Sequence, residues 1–259
     1  MAYKSGNGTD ATSAGSTIET TITLKWFLFQ FVLGNILMTQ KQLARNNIIL
    51  LFCLLLVIFF YPALSKQRLL IRDVIFTAII LSGTYSLDFA KKTRNILIIS
   101  GIITIVLTWI YYFFDKDILG LASFLSFFSF NMFVTVFMIR HIARSKEVTL
   151  TIIINSINGY LLIGILGAVL LAIAENVQKS FFHINTRAIN FAGDAAAGFH
   201  DYLYFSFVTL TTLGYGDITP VSAFAKSLTI VIAISGQLYL TILIALLVGK
   251  YLTNPEKRR

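Results

Sequence analysis

Charge is scarce in these 259 residues: only 13% are Asp, Glu, Lys or Arg, about half the 25% usual for a soluble domain. With 56% hydrophobic residues and a mean hydropathy of +0.78, that shortage points into a membrane. Cysteine is nearly missing. Cys53 stands alone inside an apolar run, so neither a disulfide framework nor a paired-thiol metal site is available. The three prolines argue against a disordered chain. His183 and His200 are isolated, without the ligand spacing that zinc requires; they read as solvated loop residues, or as the source of an outer pH effect. There is no Ser-His-Asp pattern, phosphate loop or metal-ligand cluster, so neither an enzyme nor a cofactor is expected. Residues 1–21 lack the apolar stretch of a secretory signal. They are rich in Ser, Thr, Gly and Ala and read as a flexible tail.

What the chain does have is long apolar runs. A helix needs about 20 mostly apolar residues to cross the hydrocarbon core. Residues 48–64, 69–89, 96–114, 118–139, 150–174 and 224–252 meet or approach this, giving six predicted spans. The segment 24–38 is shorter and carries Lys25, Gln30 and Asn35 round it; it lies in the interface, enters partway or crosses at a tilt. The net charge of +9 sits in short clusters between the runs, which suits topology signals rather than a nucleic-acid-binding face. With the N-terminus inside, fourteen of the 21 Lys and Arg fall on the inner side and seven on the outer. That bias agrees with the positive-inside rule. The C-terminus is then cytoplasmic, and the short stretch after the last span leaves no room for a cytoplasmic ligand-binding domain.

Between the last two spans stands Thr211-Thr212-Leu213-Gly214-Tyr215-Gly216-Asp217. Chance would produce such a string with odds below roughly one in ten thousand at ordinary residue usage. Gly214 and Gly216 lie two residues apart. Glycine enters positive φ without steric cost, so alternate carbonyls can be turned to the side that an ordinary strand would deny them. Several backbone oxygens then face one way, and the Thr212 hydroxyl adds another. Leu213 and Tyr215 are expected to point away and wedge the loop against surrounding protein. Residues 201–211, just before, are too short to span but long enough for a re-entrant helix, whose negative end would face a cation. Tyr204, Phe205 and Phe207 are expected to form an aromatic cuff round the loop, or to serve as interfacial aromatics.

These residues resemble the potassium channel superfamily, and the resemblance covers residues 150–252. It implies an all-α membrane protein of six transmembrane helices, with a re-entrant pore helix and filter loop between the last two. Thr212, Leu213, Gly214, Tyr215 and Gly216 match the selectivity filter, with K+ as the permeant ion at Thr212 to Tyr215; Leu213 stands where the usual string has Val. Thr211, Tyr204 and Asp217 are its supports, with Tyr204 bonded to Asp217 by analogy. Val208 occupies a position where some members carry a carboxylate, so a carboxylate pair with Asp217 is excluded. One chain supplies one wall of a ring of carbonyls, so a homotetramer is implied. Partners are therefore other copies and membrane lipids, with no nucleic acid.

Gly236 matches the inner-helix glycine and serves bending or close packing. Gln237 lines the cavity or bonds a neighbouring helix. Leu240, Ile244 and Leu247 form an apolar gate or are ordinary core leucines and isoleucine. The expected organisation is a tail at 1–21, an interfacial segment at 22–46, a voltage-sensor-like four-helix region at 47–146, and a pore domain at 147–259. Voltage sensing needs arginines along a span, yet 118–139 carries no charge, and Arg140 and Arg144 lie beyond it. Residues 175–201 read as a polar, flexible outer turret. The competing readings are a transport-system subunit with a borrowed pore-like loop, and a membrane sensor or scaffold. The expected location is the plasma membrane, spanned several times.

Overall fold

The computed structural model describes residues 40–64, 69–86, 91–114, 117–145, 147–180, 187–191 and 198–252. The predicted tail at 1–21, the segment 24–38 and His183 lie outside them. Seven helices are described: α1 (Gln40–Leu64), α2 (Leu69–Thr84), α3 (Lys91–Phe114), α4 (Asp117–Arg144), α5 (Leu150–Ser180), α6 (Phe199–Leu210) and α7 (Ala223–Leu252). Two residue pairs, β1 (Ile189–Asn190) and β2 (Thr219–Pro220), form an antiparallel bridge. Helices dominate because hydrocarbon offers a backbone no hydrogen bonds, and a helix satisfies its own. Local signals set the starts. The Thr149 hydroxyl accepts the Ile152 N–H at the head of α5, and the Ser222 hydroxyl accepts the Ala225 N–H at the head of α7.

Five of these helices are long and apolar enough to cross a membrane: α1, α3, α4, α5 and α7. This is a multi-pass membrane protein. The second predicted span differs from expectation. α2 has 16 residues and ends at Thr84, not at residue 89. Its length is about 24 Å at 1.5 Å per residue, short of a hydrocarbon core of about 30 Å. The cause is a turn at Gly83, whose carbonyl accepts both the Ser86 N–H and, at 2.8 Å, the Ser86 hydroxyl. At the other extreme α1 begins at Gln40, so the boundary expected at 46/47 falls inside one continuous helix.

α5 is the central helix. It packs on α1, α4, α6 and α7, and 72% of its apolar window is buried, against 11% for α7. Leu162, Ile165, Val169 and Leu171 of α5 are fully buried and join Phe127, Phe130 and Met138 of α4 in one core. α4 and α5 are separated only by residues 145–149, so α4 lies directly on the α5 of its own chain. The four-helix region and the pore region accordingly form one unit from Gln40 onward.

Polar side chains tie the helices at intervals. The Thr104 and Ser126 hydroxyls meet at 2.7 Å, and those of Thr108 and Ser123 at 3.0 Å, joining α3 to α4. Asn158 donates to the Asn47 carbonyl at 2.9 Å, joining α5 to α1. Near the C-terminal end of α7, the Lys250 ammonium donates to the carbonyls of Ile142 and Ala143. A cation there also suits the negative end of α4. Such bonds between membrane helices are worth on average about 0.6 kcal/mol each.

Candidate functional site

The loop that carries the motif sits on the end of α6, so α6 must first be fixed. Its N-terminus begins after Gly198, whose N–H is accepted by the Asp201 carboxylate at 2.8 Å; an acidic group there also suits the positive helix end. The His200 Nε2 lies 3.2 Å from the other Asp201 oxygen. Two glycines of α5 form a notch for the far side of α6. A Cβ on Gly164 would stand 2.4 Å from the Phe207 ring, and one on Gly167 would stand 2.3 Å from the Ser206 Oγ. The Ser206 hydroxyl, fully buried, donates to the Gly164 carbonyl at 2.7 Å. This notch was missed from sequence, although two glycines three residues apart in a span are a signal for close helix approach.

At the end of α6 the chain keeps donating back into the helix. The Thr211 hydroxyl bonds the Phe207 carbonyl at 2.7 Å, and the Thr212 N–H bonds the Thr209 carbonyl at 3.0 Å. The N–H groups of Leu213 and Gly214 both reach the Val208 carbonyl, at 3.0 and 3.4 Å. Beyond this cap the backbone alternates. Thr212, Gly214 and Gly216 have φ of +61°, +57° and +81°. Every second residue is left-handed, the arrangement that brings successive carbonyls to one side. Glycine accepts such angles freely. Thr212 does not, since a β-branched residue at positive φ is a true outlier, and strain of this kind costs of order 1–3 kcal/mol. Only the two glycines were foreseen here.

The C-terminal end of the loop is held by Tyr204, whose hydroxyl donates to the Asp217 carboxylate at 2.6 Å. That hydrogen bond pushes the Tyr204 hydroxyl up to about 12 and holds the Asp217 carboxyl below its ordinary value. Of the three aromatics expected round the loop, Tyr204 and Phe207 line a 310 Å³ hollow behind it together with Leu213. Phe205 instead belongs to the buried core. Leu213 and Tyr215 are 59% and 67% exposed, so the wedge expected of them is at most partly made within one chain.

Part of the stretch read as flexible is pinned. The Glu175 carboxylate, at the end of α5, accepts the Ala188 N–H at 2.8 Å. The Ala188 carbonyl accepts the N–H groups of Val221 and Ser222 at 2.8 and 3.1 Å, and Ile189 pairs with Pro220. Glu175 thereby fixes the segment between Asp217 and the head of α7. The buried ring of Phe191 meets Tyr202 edge-on at 5.2 Å beneath it.

α7 supports the N-terminal end of the loop. A Cβ on Gly236 would lie 2.2 Å from the Leu210 carbonyl oxygen, so the absent side chain is what lets α7 touch the end of α6. Close packing is thus the role the geometry gives Gly236. The Gln237 amide lies 3.5 Å from the Thr212 hydroxyl, at the limit of a hydrogen bond. Leu240 and Ile244 are exposed on α7, whereas Leu247 is partly buried against the core. On α4, Arg140 lies over the Phe137 ring at 5.8 Å, as an anchor at the helix end would.

The family comparison falls on this same part of the chain. Residues 160–253 match the ion channel family. "Two-pore potassium channel 4" of Arabidopsis thaliana is 41% identical over 66 residues, which is 26% of this chain and 23% of that protein. The chain thus matches about a quarter of that relative's length. No solved structure matches.

Proposed function

We propose that four copies of this chain form a potassium-selective pore through which K+ passes down its gradient. The observation that carries this reading is the alternation of left-handed residues at Thr212, Gly214 and Gly216, set on the capped end of a short helix. A potassium ion leaving water needs its shell replaced by oxygen ligands, and rings of backbone carbonyls supply them. The carbonyls of Thr212 to Tyr215 and the Thr212 hydroxyl are the ligands in this account. The negative end of α6 adds favourable potential on the inner side. Tyr204 and Asp217 hold the outer end; Gly236 and Gln237 brace the inner end. No resident cofactor takes part. The similarity to a protein named as a potassium channel supports the choice of ion. That relative's name speaks of two pores, while this sequence carries the motif once, so four copies are needed to close a ring.

The exposed faces of α7, Leu213 and Tyr215 support such an assembly, since they leave large apolar side chains for neighbours to cover. The positive-inside bias supports a filter on the outer side and a cytoplasmic C-terminus, and the plasma membrane is the proposed location. The uncharged stretch of α4 argues against voltage gating. The test is flux. The full chain, purified and reconstituted in liposomes, should pass K+ but not Na+ down a gradient and be blocked by Ba2+. Equal Na+ and K+ flux, or none under any lipid, voltage or tension, would refute the proposal and favour a scaffold.

A further inference from the structure

α4 carries no charge between Ile118 and Ile139, yet the four-helix region is joined to the filter helix through aromatic rings. Phe76 of α2 stacks on Phe127 of α4, with ring centroids 4.5 Å apart and planes at 21°. Both rings are buried. Phe199, the first residue of α6, meets this pair from the side. Its ring stands edge-on to Phe76 at 5.5 Å and 82°, and lies 6.3 Å from the ring of Phe124 on α4. Aromatic pairs at such separations attract beyond simple burial. The seat is also tied: beside Phe124, the Ser123 hydroxyl meets that of Thr108 on α3 at 3.0 Å.

α6 is short and is held past its middle. It has 12 residues, so it is about 18 Å long at 1.5 Å per residue. Ser206 sits in the glycine notch of α5 and donates to the Gly164 carbonyl. Phe199 lies about 10 Å along the axis before that point, and Leu210 about 6 Å beyond it. A rigid helix tilting about Ser206 turns a shift of about 1 Å at Phe199 into about 0.6 Å at Leu210. Leu210 lies against Gly236 of α7. Two residues on, the Thr212 hydroxyl stands at the 3.5 Å limit of its bond with Gln237. A shift of that size makes or breaks this contact.

We propose that Phe199 is a positioning residue for the filter loop: Phe76 and Phe124 hold its ring, and displacements of α2 and α4 pass along α6 to Thr212. The four-helix region thereby acts on the loop by contact at the head of α6, and needs no charged span to do so. The consequence for ions rests on the pore reading; the mechanical link does not.

The test reads the loop directly and does not depend on conduction. The full chain in lipid nanodiscs is followed by hydrogen–deuterium exchange and mass spectrometry, on peptides covering residues 205–214. The N–H groups of Thr212, Leu213 and Gly214 there bond back into α6. Phe76→Leu and Phe199→Leu keep apolar bulk and remove one ring each. Each should speed exchange in those peptides roughly two- to tenfold, the worth of one aromatic pair. The double variant should exchange no faster than the quicker single one. Phe130→Leu removes another buried ring of α4, packed on Gly83 and Gly101, and should leave the loop unchanged. Should Phe76→Leu fail to fold, Phe124→Leu takes its place in the cycle. Effects that multiply in the double variant, an unchanged loop in Phe199→Leu, or equal loosening by Phe130→Leu overturns the proposal. In planar bilayers, Phe199→Leu should also shift the K+/Na+ reversal potential of a K+-selective native chain. A native chain without that selectivity would sink the pore reading, while the exchange cycle still decides the link.

Discussion

Gly236→Ala separates two roles for the inner-helix glycine. The new Cβ would stand 2.2 Å from the Leu210 carbonyl oxygen and 2.9 Å from the Leu210 Cδ1. Carbon–oxygen contacts relax to about 3.3 Å, so α7 must retreat from the end of α6 by about 1 Å. Overpacking of this kind costs roughly 1–3 kcal/mol, against about 1 kcal/mol gained by Ala over Gly in a helix. The net loss of stability is therefore modest, at most about 2 kcal/mol. The functional loss should be larger, because Leu210 stands two residues before Thr212, and the Gln237 amide is already at 3.5 Å from the Thr212 hydroxyl. A retreat of 1 Å breaks that contact and frees the inner end of the loop. Reversal potentials with K+ on one side and Na+ on the other should show lost selectivity, with only a small fall in thermal stability. Adding Leu210→Ala removes the Cδ1 contact but not the carbonyl, so it should not rescue. Unchanged selectivity with altered open probability would mean that Gly236 bends rather than packs, and the reasoning would be wrong.

Three further outcomes are expected. The Asp217 carboxyl is held below its ordinary value by Tyr204, so its contribution is complete above the usual carboxylate range and is lost as outer pH falls through the lowered value. Conduction should be flat between about pH 5 and 8, and Tyr204→Phe should move the acid loss upward, toward the ordinary 3.8; an unmoved acid limb in current recordings would contradict this. Glu175→Ala deletes a charged acceptor for Ala188 and should cost about 1.5–3 kcal/mol, seen as a lower unfolding midpoint, with faster loss of current if the outer mouth loosens. Steps of membrane potential should change open probability only shallowly, since α4 carries no charge between Ile118 and Ile139; steep activation would show a sensor elsewhere.

The parts legible in sequence were those written in neighbouring residues. Gly214 and Gly216 announce their own positive φ, and the apolar runs place α5 and α7 to within a residue at their starts. The Tyr204–Asp217 bond followed from a resemblance, at a spacing of thirteen residues. What stayed hidden depends on partners far along the chain. Thr212 at positive φ contradicts its own residue type, and only the cap on Val208 together with the demands of the loop explains it. Glu175 looks like a charge at a span end, until Ala188 is seen beneath it. Gly164 and Gly167 gain meaning only when Phe207 and Ser206 lie against them. Two-residue strands are too short to show alternation, so the bridge from Ile189 to Pro220 left no pattern to read. Leu213 and Tyr215 were expected to be packed; one chain leaves both largely exposed, and only the proposed assembly would cover them.

The most direct test of the central claim is the reversal potential of the reconstituted protein with K+ outside and Na+ inside, taken for the native chain and for Gly214→Ala. An added Cβ there meets no atom within 4 Å, but φ is +57°, so the change acts through backbone handedness alone. The account predicts a native reversal potential set by K+ and, in the variant, loss of conduction or of that selectivity. Native selectivity surviving Gly214→Ala would contradict it.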